Sequence, residues 1–234
     1  MDAIILAGGL GTRLKTVVSE LPKPMAPIAG RPFLEWQLDY LRSQGIRRCI
    51  LAVGYKAEAI SEHFAKGYLD MDIVIVKEPE PLGTGGAIYQ ALSKISSSDV
   101  LVCNGDTLFT ANLPVFIDKA KHLQEGAVIL AARIQECGRY GTLQVKDQSV
   151  IDFKEKAEAG PGLINAGIYY LNCQWFLKQT QGGAFSFEKF LASQVSHHHI
   201  AFVELEGEFI DIGVPEDYQK AQLYIPAILD KIIP

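Results

Sequence analysis

The sequence of 234 residues is poor in cysteine, with four, and none of them belongs to a C-x-x-C pair. Cys49, Cys103, Cys137 and Cys173 are widely scattered, which speaks against both a disulfide framework and a zinc site. Cys49 and Cys103 fall in apolar strand patterns, where thiols act as small hydrophobes. Positive charge is also scarce: 22 Lys and Arg against 27 Asp and Glu leave a net charge of −5. No basic surplus is available to neutralise many phosphates, so nucleic acid is not an expected partner. No apolar run approaches the ~20 residues needed to span a bilayer, so no membrane partner is expected either. The N-terminus has neither a basic segment nor a cleavable apolar stretch, and a cytoplasmic location is expected. Nucleophilic catalysis finds no Ser/His/Asp or Cys/His grouping in a recognisable local context. His197-His198-His199 alternate sides in an extended segment without a nearby acidic or cysteine partner, and read as a solvated loop.

What is present starts at the first residues. A short apolar strand pattern ending in Leu6 and Ala7 runs directly into Gly8-Gly9-Leu10-Gly11-Thr12-Arg13, and Pro22-Lys23-Pro24 follows ten residues later. Glycines at 8, 9 and 11 remove the Cβ atoms that would block close approach, so backbone N–H groups are able to converge on one anion while Arg13 adds a fork of donors. The prolines pin the backbone on both sides of Lys23. A strand that simply ends in a glycine-rich turn is the plainer reading of the glycines alone. No Gly-Lys-Ser/Thr closes the loop, and position 14 is Leu, so neither the P-loop nor the dinucleotide fingerprint applies.

Strand and helix patterns alternate through the first half as in a parallel α/β sheet. Cys49–Val53, Ile73–Val76 and Val100–Cys103 read as strands, and helices are expected at Phe33–Leu41, Lys56–Lys66 and Gly85–Ile95. Short strands then dominate: Ala127–Ala132, Thr142–Val145, Val150–Phe153, Ala166–Leu171, Phe202–Leu205 and Phe209–Asp211. Helices are expected around Gln174–Lys178 and Phe187–Val195, with a last one opened by Pro215. In such sheets ligands sit at the carboxyl ends of the strands, where the glycine loop, the Leu82–Gly86 turn and Asp106 emerge.

The glycine loop with Lys23, Asp106, Glu155-Lys156 and Asp211 occur in the order found in the sugar-1-phosphate nucleotidyltransferases, which join a sugar phosphate to a nucleoside triphosphate. The chain resembles that family from Leu6 to Tyr218. The resemblance implies an α/β fold, a Rossmann-like three-layer α/β/α domain with a mixed, mainly parallel central sheet. It implies one domain over residues 1–234, with a nucleotide-binding part over about 1–110 and a sugar-phosphate part over about 111–234. Arg13 and Lys23 are then the catalytic cations, and Leu6, Ala7, Gly8, Gly9, Gly11, Thr12, Arg13, Gly83, Thr84 and Asp106 bind the nucleotide. Lys23, Gly141, Glu155, Lys156 and Asn165 bind the sugar phosphate. Such chemistry needs charge neutralisation, and Mg²⁺ asks for one or two carboxylates with phosphate oxygens and water completing its shell. Asp106 and Asp211, each among apolar and small residues, are the expected ligands, with turn-capping the alternative role for each. The strings around Lys23, Leu82–Gly86, Tyr140-Gly141-Thr142 and Asp211 are most similar to the branch that uses GTP and a heptose 1-phosphate. Mannose 1-phosphate with GTP, N-acetylmuramate 1-phosphate with UTP and a catalytically silent nucleotide-binding scaffold are the alternatives. A homodimer is compatible with this picture.

Overall fold

The computed structural model of the protein describes residues 1–9, 11, 14, 18, 21–154, 160–197 and 200–233. Thr12, Arg13, Glu155, Lys156, His198 and His199 lie outside the described residues. In chain order the elements are β1 (Ala3–Leu6), a 3-10 turn at Lys23–Met25, β2 (Pro27–Ile28), β3 (Arg31–Pro32), α1 (Phe33–Ser43), β4 (Arg48–Val53) and α2 (Ala57–His63). There follow β5 (Asp72–Lys77), α3 (Gly83–Ala91), β6 (Asp99–Asn104), β7 (Thr107–Phe109), α4 (Leu113–Leu123), β8 (Ala127–Ile134) and β9 (Thr142–Lys146). The remainder comprises β10 (Ser149–Lys154), β11 (Gly162–Asn172), α5 (Cys173–Gln179), α6 (Phe187–Gln194), β12 (Ala201–Glu204), β13 (Phe209–Asp211) and α7 (Pro215–Ile232).

Nine strands make one sheet in the order β5-β4-β1-β6-β11-β8-β12-β10-β9. The first four are parallel neighbours, β11 inserts antiparallel between β6 and β8, and β12 runs parallel to β8. β10 and β9 close the far edge antiparallel, so among these strands only β10 and β11 run against the common direction. The sheet is therefore mixed and mainly parallel. Side chains alternate between its faces, as strand geometry dictates. Ala3, Ile5, Cys49, Leu51, Leu101 and Cys103 pack with residues of α1, α2, α4 and α7. Ile4, Ile50, Ala52, Val100 and Val102 pack with residues of α3, α5 and α6. Helices thus cover both faces. Each fully buried Leu, Ile or Phe contributes about 1.5–3 kcal/mol, which is why apolar runs with no polar face form the central strands.

Four departures from the sequence reading have local causes. α2 stops at His63 rather than Lys66; Phe64, 2% exposed, still donates its N–H to the Ile60 carbonyl, and the chain then turns to Gly67 at φ +78°. α3 begins at Gly83, and gives way to a 3-10 turn at Leu92–Lys94 before Ile95. α4 has an amphipathic pattern over Leu113, Phe116 and Ala120, capped by Asn112 Oδ1 on the Val115 N–H, and the sequence reading assigned nothing there. β7 is too short for a periodicity signal, yet it pairs with β13 and shapes the site.

Candidate active site

Four parallel strands, β1, β4, β5 and β6, deliver their carboxyl ends to one cleft of about 790 Å³, with Gly54 and Tyr55 following β4. β1 leads into the glycine loop, β5 into Glu78-Pro79-Glu80-Pro81, and β6 into Asn104-Gly105-Asp106. Asp106 and Asp211, distant in sequence, meet because β7 and β13 pair antiparallel with Asp211 opposite Thr107. The Ile212 N–H donates to the Asp106 carbonyl at 3.0 Å and fixes the offset. Lys23 reaches both carboxylates: Nζ lies 2.5 Å from Asp106 Oδ2 and 3.8 Å from Asp211 Oδ1. Its side chain is 13% exposed and rises from the 3-10 turn, in which the Met25 N–H donates to the Pro22 carbonyl. Burial first, and then the like charge of Asp106, raise the Asp211 carboxyl above its ordinary value, while Lys23 opposes both.

Gln37, buried on α1, holds this turn from the core side. Its Nε2 donates to the carbonyls of Asn104 at 2.7 Å and Thr107 at 3.0 Å, one on each side of Gly105-Asp106. The glycines have separate reasons. A Cβ on Gly8 would stand 2.2 Å from Glu78 Oε1, so this glycine admits a carboxylate of the neighbouring segment. Gly11 has φ +57° and packs against Lys23 Cβ, whereas Gly9 faces open space.

The Leu82–Gly86 turn, whose Gly83 and Thr84 are expected to bind the nucleotide, is docked onto α6. The Leu82 N–H donates to Glu78 Oε2 at 3.0 Å, and the Gly85 N–H to the Phe185 carbonyl at 2.9 Å. Thr84 Oγ1 donates to Glu188 Oε2 at 2.9 Å and accepts from the Phe187 N–H at 2.8 Å. Leu6, Gly8, Gly9, Gly11, Lys23, Gly83, Thr84, Asp106 and Asp211 line one cleft. Ala7 is fully buried with its N–H on the Ala52 carbonyl and lies behind the wall. Gly141 sits beside the Lys154 carbonyl and Asn165 on the β11 bulge, and neither lines this cleft. Asn165 instead bridges its own strand: Oδ1 accepts from the Gly167 N–H at 3.0 Å, and Nδ2 donates to the Tyr169 hydroxyl at 2.8 Å.

Sequence reasoning missed Gln37, Glu78, Glu80 and Glu188. The proline-flanked glutamates directly before Leu82–Gly86 carry the same signal that singled out Lys23, and could have been read. Gln37 and Glu188 sit in ordinary helix patterns and offer none.

The nucleotidyl transferase family pattern matches residues 2–227. The chain belongs to this family. It is 44% identical over 223 residues to the D-glycero-alpha-D-manno-heptose 1-phosphate guanylyltransferase of Aneurinibacillus thermoaerophilus, with 95% of this chain and 97% of the relative covered. To the protein of the same name from Campylobacter jejuni it is 46% identical over 220 residues, covering 93% and 97%. The crystal structure of HddC from Yersinia pseudotuberculosis complexed with GMP-PN has a similar fold, with a TM-score of 0.86, 38% identity, and 94% and 97% coverage.

The cleft is acidic. Glu78, Glu80, Asp106, Glu188 and Asp211 line it, and Lys23 is the one cationic side chain among the described residues that does. A polyphosphate entering beside Asp106 and Asp211 therefore needs further cations. Two carboxylates converging on one ammonium, the more buried of them with its pKa raised, form a donor set that suits Mg²⁺. No group of three or more His, Cys, Asp or Glu side chains suited to a metal occurs among the described residues.

Proposed function

We propose that this protein transfers a guanylyl group from GTP to D-glycero-α-D-manno-heptose 1-phosphate, giving GDP-heptose and pyrophosphate. A phosphate oxygen of the sugar phosphate attacks the α-phosphorus, and the bond from that phosphorus to the bridging oxygen of the β-phosphate breaks. The observation that carries the reading is Lys23 held between Asp106 and Asp211 at the carboxyl end of the sheet, in a cleft that continues to the Leu82–Gly86 turn. The two heptose 1-phosphate guanylyltransferases, similar over nearly their whole length, support the choice of substrates.

Asp106 and Asp211 would hold Mg²⁺, which when bound supplies charge neutralisation at the α-phosphate and the incoming oxygen. Lys23 meets the negative charge that accumulates on the transferring phosphate, a contribution fixed in place before the reaction begins. Gly83 and Thr84 place the base. Arg13 is assigned to the departing pyrophosphate, Lys156 to the sugar phosphate and Glu155 to sugar hydroxyls, in line with their positions in the family motifs.

Pyrophosphate release measured over a grid of GTP, UTP and dTTP against heptose, mannose and N-acetylmuramate 1-phosphates tests the proposal. GTP with the heptose should give the highest kcat/KM. Mannose 1-phosphate, lacking one hydroxymethylene group, should be poorer by roughly tenfold to two-hundredfold, the usual worth of one missing contact of that size. A preference for UTP, or for mannose 1-phosphate, would overturn the assignment.

A further inference from the structure

Glu188 has no role in the reading so far, yet it lines the cleft and is unusually constrained. Its Oε2 accepts from two hydroxyls, Thr84 Oγ1 at 2.9 Å and Ser186 Oγ at 2.8 Å, which use both lone pairs of that oxygen. Among the described residues no donor meets the other oxygen. Ser186 also caps α6 through the Lys189 N–H, so the carboxylate is fixed to a helix end and to the base turn at once. A carboxylate only accepts, repels phosphate, and selects N–H or O–H donors.

Its surroundings point to the sugar. Phe187, the preceding residue, packs edge-on against the Tyr169 ring at 5.0 Å, and Tyr169 receives the Asn165 amide on the strand that crosses to the second half of the sheet. Burial, followed by the Glu188 charge and more weakly the Asp106 charge, pushes the Tyr169 phenol up, which sets Tyr169 within the field of both carboxylates. Glu188, Thr84 and Asp106 line the same cleft, so the carboxylate is anchored to the base turn in a space that continues to Asp106.

We propose that Glu188 Oε1 accepts a hydrogen bond from a ring hydroxyl of the sugar 1-phosphate, so that the oxygen pair of one carboxylate joins the base turn to the sugar. The inference rests on the guanylyltransferase reading. Both hydroxyl anchors leave the carboxylate with little freedom, so the contact selects the position of one hydroxyl.

Glu188→Gln tests this with little change in shape, because the Gln carbonyl still accepts from Thr84 and Ser186 while an NH₂ replaces the free oxygen. The KM for mannose or heptose 1-phosphate should rise about tenfold or more while the KM for GTP changes less than about twofold. Mannose 1-phosphates lacking one ring hydroxyl at a time identify the partner: one of them should be used equally well by wild type and variant. An unchanged sugar KM would overturn the proposal, as would a raised GTP KM that disappears with ITP, since that pattern assigns Glu188 to the guanine amino group. Calorimetric binding of mannose 1-phosphate in the presence of a non-hydrolysable GTP analogue reads the same contact without turnover. Loss of affinity in Glu188→Gln, with no turnover by wild type on any sugar 1-phosphate, would uphold the contact and sink the guanylyltransferase reading.

Discussion

The Gln37 side chain reaches across the turn that carries Asp106, donating to the carbonyls of Asn104 and Thr107. A residue in the middle of a core helix thereby sets the height at which the carboxylate stands. Gln37→Met keeps the volume and removes both bonds, leaving two buried carbonyls without that donor. It should cost about 1–3 kcal/mol in urea denaturation and lower kcat, with KM for GTP little affected. Wild-type kcat in a destabilised variant would show that the turn keeps its place without Gln37.

Lys23→Ala should lower kcat on the order of a hundredfold or more, because its ammonium acts on charge that develops during transfer. It should also leave Asp106 and Asp211 facing each other, so the melting temperature of the variant should respond more strongly to added Mg²⁺ than that of wild type. Wild-type kinetics in Lys23→Ala would remove this residue from the mechanism.

Chelation should abolish activity, and Asp106→Asn or Asp211→Asn should reduce turnover by orders of magnitude. The metal-free forms separate chemistry from stability. Asp211 is buried beside a like charge, so metal-free Asp211→Asn should melt at or above the temperature of metal-free wild type at pH 7, by differential scanning fluorimetry. Full activity in both variants would end the metal assignment.

Gly8 and Gly9 are adjacent and should behave differently. Gly8→Ala drives a methyl into Glu78 and the Gly54 backbone, and should lower the melting temperature. Gly9→Ala meets no atom of the described residues within 4 Å, so its stability should be preserved while its KM for GTP rises, the new methyl standing in the nucleotide's space. Equal melting temperatures for the two variants would show that Glu78 yields easily.

The central strands were legible because β1, β4 and β6 are buried on both faces and read as continuous apolar runs. Lys23 was legible through the prolines on either side of it, and Asp106 and Asp211 as charges among apolar and small residues. Their meeting was not, since it depends on β7 and β13, three-residue strands whose pairing no local pattern announces. Asn165 shows the opposite limit. Its motif was plain, but its amide bonds to Gly167 and Tyr169 come from a bulge, and a bulge is a matter of register with β8 that one strand's sequence does not encode.

β11 lies between β6 and β8 in the sheet although it follows both in the chain. During synthesis, β6 and β8 each keep an unpaired edge until residues 162–172 arrive, and a chain cut short before then presents two apolar edges to its neighbours. The consequence reaches protein engineering. Exchanging everything after about residue 110 with a relative would replace the strand that runs through the middle of the host's own sheet, so the two parts of the chain are not interchangeable modules. Altered sugar choice is better sought by single substitutions at the cleft, where the sheet remains that of the host.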